Sequence, residues 1–186
     1  KCRTVDTTDY PMLFAGTYSY LATIANGGAV TNANGYDILF YADKGLTEML
    51  AFERVSWNDT TGACEFWVKI PTLGISENTV IYLAYGNTNI TTDQQNKTGT
   101  WNSNYKGVWH MNDATTSKIA DSTAGAHTGT KEGVNTPLEA AGKVGRAQFH
   151  DAQQIDYSIH ADFALTNNFS VELWIEPKAF VDHDGY

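Results

Sequence analysis

Charge is sparse in this sequence: 18% of residues are charged, against about 25% in an average soluble domain. Proline and cysteine are scarcer still, at four and two residues. So little proline excludes collagen-like and proline-rich architectures. Two cysteines without a CxxC pair exclude a Cys-rich zinc site and a thioredoxin-type redox motif. They allow one disulfide, Cys2–Cys64, without requiring it. No apolar run approaches the roughly 18 residues of a membrane-spanning helix, so no membrane insertion is expected. Basic residues number 12 against 21 acidic ones, a net charge of −9. An acidic surface repels phosphate backbones, and nucleic acid is therefore not an expected partner. The chain opens on Lys1 with neither a Met nor a signal peptide, so a preceding segment is expected.

Polarity comes instead from 23 Thr, 14 Asn and 16 Gly. Thr favours strands, while Asn and Gly favour the turns between them, which predicts an all-β protein rich in loops. With 42% hydrophobic residues, the 186-residue chain can bury a core. Cys64–Ile70 alternates, with Cys64, Phe66, Val68 and Ile70 on one face, as in a half-buried strand. Glu48–Ser56 precedes it across Asp59-Thr60-Thr61-Gly62, a hairpin-like turn. Met12–Ala15 and Tyr36–Tyr41 read as further strands, and Thr79–Tyr85, apolar on both faces, as a central one. The polar stretch 86–105 reads as a linker, with a domain boundary near Gly99. Beyond it, short strands are expected near 146–150 and 154–159. Phe169–Glu176 alternates strongly and stops at Pro177.

Four motifs carry a resemblance. They are NGGAVTNANGYD at 26–37 with ILFYAD after it, FWVKIP at 66–71 with Leu73, IYLAYGN at 81–87, and WNSNYKGVWH at 101–110. Over about residues 1–98 the chain resembles domain-of-unknown-function family 2341. Members occur in secreted, cell-surface and phage-encoded proteins of prokaryotes and their viruses. The resemblance implies a small antiparallel β-sandwich and supplies no activity.

Residues 99–186 resemble the start of a concanavalin A-like, laminin-G-like jelly roll. The carrying residues are VWHM at 108–111, ADSTAGAHTGT at 120–130, GKVGRAQFHDAQQIDY at 142–157 and FSVELWIEP at 169–177. Two departures stand out. The usual DSTGNxxxGT loop reads DSTAGAHTGT, and the FDG turn reads Phe149-His150-Asp151 before Ala152. A jelly roll needs about eight strands, and this segment offers four or five. Its completion is expected from further sequence or from another chain adding strands at the open edge.

The chemistry expected of such a chain is binding rather than catalysis. No GxSxG, HExxH, GxxxxGKS or GxGxxG motif occurs. Glu172 and Glu176 share a strand face but stand about 13 Å apart at strand rise, beyond either productive separation for glycoside hydrolysis. The five histidines lack HxH spacing, so no zinc site is expected. Calcium is the expected ion, because it takes carboxylate and loop-carbonyl oxygens in a flexible shell. Laminin-G-like modules often hold one. Asp113, Asp121 and Asp151 lie on the loops that would bind it, with Asp121 equally readable as a turn cap before Thr123. Asp182 and Asp184 are further acidic candidates.

Glycan recognition stacks aromatic rings on sugar faces and uses polar loop groups for hydrogen bonds. Trp57, at a strand end, and Trp101, in the polar linker, are the candidate stacking residues. Trp67, Trp109 and Trp174 read as packing residues. The expected function is a non-catalytic adhesion or glycan-recognition module at a cell surface, in the extracellular space or on a virion. Its partners would be surface glycans or neighbouring copies. The alternatives are a structural spacer or assembly module of a filament, surface layer, phage tail or capsid, and an accessory domain of a secreted polysaccharide-degrading enzyme.

Overall fold

A computed structural model describes residues 4–114, 117–133, 136–151, 153–164, 166 and 168–177. These residues form antiparallel strands with one turn of α-helix, an all-β arrangement. Strand β1 (Thr7–Thr17) pairs with β4 (Ala63–Leu73), and β4 pairs on its other side with β3 (Phe52–Trp57). The apolar run at 12–15 is therefore the centre of an eleven-residue strand, whose polar ends are held by the β4 ladder.

The β3–β4 connection is the expected turn. Asn58 Oδ1 accepts from the amides of Thr60 and Thr61, at 3.1 and 2.8 Å. Gly62 follows at φ +71°, where a Cβ would meet the carbonyl oxygen of Tyr18 at 2.0 Å. Along β4, Cys64, Phe66, Val68 and Ile70 are buried, as the alternation predicts.

Strand β2 (Leu39–Tyr41) pairs with β5 (Tyr82–Ala84) in a separate two-stranded sheet. Phe40 of β2 joins that pair to the first sheet. Its ring stands edge-on to Phe14, Phe52 and Phe66, with centroids 5.5, 5.5 and 5.3 Å away. Leu21, Val30, Ile38, Leu39, Leu50, Val68 and Ile70 complete the core. Each such side chain, fully buried, contributes roughly 1.5–3 kcal/mol of transfer free energy.

The motif NANGYD organises the entry to β2. Asp37 is 1% exposed. Its carboxylate accepts from Thr31 N and Oγ1 at 2.8 and 2.7 Å, from Asn32 N at 3.1 Å, and from Gly86 N at 3.1 Å. One side chain thus holds the loop before β2 against the turn after β5.

Downstream, α1 (Lys97–Thr100) is capped by Asn96, whose Oδ1 accepts from Gly99 N at 2.9 Å. Strands β6 (Lys118–Ile119), β7 (Gly129–Lys131) and β10 (Ile155–Asp156) form a sheet in the order β10-β7-β6. Strands β8 (Leu138–Ala141) and β9 (Arg146–Phe149) form a hairpin between them in sequence.

Two expectations are corrected. Only Tyr82–Ala84 of the segment 79–85 is a strand, half-buried and paired with β2 alone among the described residues. Its apolar residues do not face cover on both sides, and Val80 is exposed. Residues 169–176 form no strand: among the described residues no neighbour supplies a ladder. Phe169, Val171, Leu173, Trp174 and Ile175 are 63–73% exposed, so Trp174 is not a packing residue here. Cys64 is a buried thiol, pushed up to about 11 by burial and then by Glu65. Cys2, Asp182, His183 and Asp184 lie outside the described residues.

Candidate functional site

Strand β3 carries functional groups toward an open groove. At its C-terminal end, Arg54, Val55, Ser56 and Trp57 line an open groove of about 530 Å³ with Ala33, Asn34, Tyr36 and Asp59. The NANGYD loop forms one wall. Gly35, at φ +67°, lies against the Trp57 ring so closely that a Cβ would come within 2.8 Å of it. Arg54 Nη1 donates to Gly35 O at 3.0 Å, and the guanidinium sits 5.3 Å from the Tyr36 ring centroid. Arg54 also pairs with Asp93 at 3.2 Å. Trp57 is half-buried, and its Nε1 donates to Leu21 O at 2.9 Å. The indole is thereby fixed in orientation while its ring borders the groove. Two aromatic rings, a guanidinium, an amide, a hydroxyl and a carboxylate can stack on and hydrogen-bond a polyhydroxylated ligand.

The other glycan candidate is elsewhere. Trp101 was expected to be exposed, and it is 5% exposed. Its Nε1 donates to Glu53 Oε2 at 2.7 Å, and its ring packs against Trp67 and Tyr105 at 5.3 and 5.1 Å. The ring is largely covered, and the little of it that shows borders a second groove rather than the one beside Trp57. The polar composition of 86–105 concealed this, because the residue that satisfies the indole N–H lies on β3.

Glu53 is 3% exposed and gathers a network. Besides Trp101 it accepts from Ser122 Oγ at 2.6 Å, meets His110 Nε2 at 3.0 Å, and has Lys97 Nζ at 3.7 Å. Burial pushes its carboxyl upward. The His110 contact and the bonds from Ser122 and Trp101 outweigh it and hold the group below the usual glutamate range. The network ties β3 to residues on both sides of Gly99.

Of the three calcium candidates, Asp121 is the turn cap. It is 7% exposed. Oδ1 accepts from Val108 N and Thr123 N, both at 2.9 Å; Oδ2 accepts from Thr123 Oγ1 at 2.7 Å and His127 N at 2.8 Å. A carboxylate has about four lone-pair sites, and protein donors occupy that many. Burial raises its pKa, and these bonds bring it below the usual aspartate range. Asp113 Oδ2 accepts from Ala120 N at 3.4 Å, and Asp151 lies at an exposed turn before Gln153. The three are not brought together around a common point. Among the described residues, one group has three ligand-type atoms in mutual reach: His127, His160 and Asp162, all within 4.8 Å. Sequence reasoning missed it. The available signal was His160-Ala161-Asp162, two potential ligands on one turn, but their partner is 33 residues away.

His127 and Asp162 border a second groove of about 510 Å³, lined also by Lys69, Trp101, Tyr105 and Lys106.

Residues 34–125 match the family model described as Domain of unknown function (DUF2341). That span opens on the wall of the Trp57 groove and includes Asp37, Glu53, Trp57, Trp101, His110 and Asp121. It crosses the boundary expected near Gly99, as the Glu53 network does, and ends before His127. No curated protein and no solved structure matches the chain.

Proposed function

We propose that the chain is a non-catalytic recognition module of an extracellular, cell-surface or virion protein, and that it binds glycans in the groove beside Trp57. The observation that carries this reading is the lining of that groove. Trp57 and Tyr36 supply ring surface, and Asn34, Arg54, Ser56 and Asp59 supply hydrogen-bonding groups. Trp57 is held by its bond to Leu21 and by Gly35, so little side-chain freedom remains to be lost on binding. Trp101 has no part in this site.

In the same reading, the β1-β4-β3 sheet and the β2–β5 pair are the two layers of a small sandwich around Phe40. Residues 99–186 are the opening part of a concanavalin A-like jelly roll. The test is a glycan array probed with the chain and with Tyr36→Ala. Selective binding that the variant loses supports the site. Equal binding by both proteins removes it.

A specific observation favours a second reading, assembly with neighbouring copies. Phe169, Val171, Leu173 and Ile175 alternate along an exposed stretch. An alternating apolar segment of this kind suits strand addition to another sheet edge. Concentration-dependent association that is lost in Val171→Lys would support it.

A further inference from the structure

Independently of the groove beside Trp57, we infer that His127, His160 and Asp162 bind one divalent transition-metal ion of the zinc class, with solvent completing its shell. Three observations carry this. First, the spacing fits. His127 Nε2 lies 2.9 Å from Asp162 Oδ2, and His160 Nδ1 lies 3.5 Å from the same oxygen. Zinc bonds of about 2.0–2.1 Å in tetrahedral array set neighbouring ligand atoms about 3.3 Å apart. The found distances bracket that value.

Second, the ligands are held in place before any ion arrives. The His127 side chain is 7% exposed. Its backbone is held from both sides, the amide by Asp121 Oδ2 and the carbonyl by Trp109 Nε1, each at 2.8 Å. The edge of Phe163 packs on its ring at 4.9 Å, and the His160 ring lies 4.1 Å away. The turn Ala161–Phe163 places His160 and Asp162 side by side. The saturated Asp121 thus has a role near an ion after all, positioning one ligand rather than being one.

Third, the protonation states suit a cation. Asp162 N–H donates to His160 Nδ1 at 3.2 Å, so that nitrogen carries no proton, and an ion would take its lone pair in place of the amide. His127 faces Asp162 through Nε2, and the proton between them passes to solvent when an ion takes its place. Two imidazole nitrogens and one carboxylate oxygen select zinc, cobalt, nickel or copper over calcium, which prefers shells made wholly of oxygen.

The experiment is calorimetric titration of the untagged, metal-free 186-residue chain with Zn²⁺ alone, with Ca²⁺ as the control. One equivalent of Zn²⁺ is expected to bind, Ca²⁺ is expected not to compete for it, and Co²⁺ should give the intense visible bands of a tetrahedral site. His160→Ala and Asp162→Asn should each weaken Zn²⁺ binding by about tenfold or more. Asp162 is half-exposed and Asp162→Asn keeps an acceptor for His127, so that variant's metal-free melting temperature should stay unchanged. His150→Ala is the control that should bind normally. No heat with Zn²⁺, unchanged affinity in both site variants, or a loss confined to His150→Ala would each overturn the assignment.

Discussion

Trp101 and Glu53, 48 residues apart, share a 2.7 Å hydrogen bond inside the protein. Indole N–H and carboxylate are both costly to bury alone, and each removes the other's penalty. The bond fastens the segment after α1 to β3, and Ser122 and His110 repeat the attachment.

This attachment predicts a large effect of Glu53→Ala. The substitution strands the Trp101 and Ser122 donors, at a cost of about 1–3 kcal/mol each. A loss of about 3 kcal/mol or more is expected from urea denaturation. A loss under about 1 kcal/mol would mean that water reaches these donors freely. Trp101→Ala should likewise destabilise by about 3–5 kcal/mol, since a large buried ring is removed.

Acid should weaken the fold through the same residues. Glu53 and Asp121 both titrate lower in the folded chain than their ordinary values of 4.5 and 3.8. Between folded and ordinary values the unfolded chain binds more protons, so stability falls as pH falls through that range. Their contribution is complete above about pH 5. The melting temperature should drop steeply below pH 4.5, and Asp121→Asn, already lower at neutral pH, should show a shallower acid decline. A variant with the unaltered acid slope would exclude Asp121 from the effect.

Cys64 should be nearly inert. Its thiol is 3% exposed and titrates at about 11. In a Cys2→Ser background, reaction with an aromatic disulfide at pH 8 should be slower than in the unfolded chain by about 100-fold or more. Comparable rates would show that β4 opens readily.

Much of the first half was legible in the sequence. Cys64–Ile70 alternates because one face of β4 meets the core, and period two has no other reading in so short a run. Asn58–Gly62 announced its turn through local side-chain bonds. What stayed hidden depends on distant partners. The length of β1 comes from its ladder with β4, not from its own composition. Trp101 looked exposed because its neighbours are polar, while its partners stand on β3 and β4. Phe169–Ile175 has the pattern of a strand, but a pattern supplies no partner. Asp121 was readable as either cap or ligand, and the four donors that reach its carboxylate come from residues the sequence does not place together.

Ligand binding in the groove beside Trp57 is the property to measure first. Once an array has supplied a glycan, its affinity should be measured for the unaltered chain and for Tyr36→Ala, Arg54→Ala and Trp101→Phe. Loss of binding in the first two is predicted, with Trp101→Phe close to normal because its ring faces inward. Undiminished affinity in Tyr36→Ala and Arg54→Ala, or no glycan bound at all, would contradict the account.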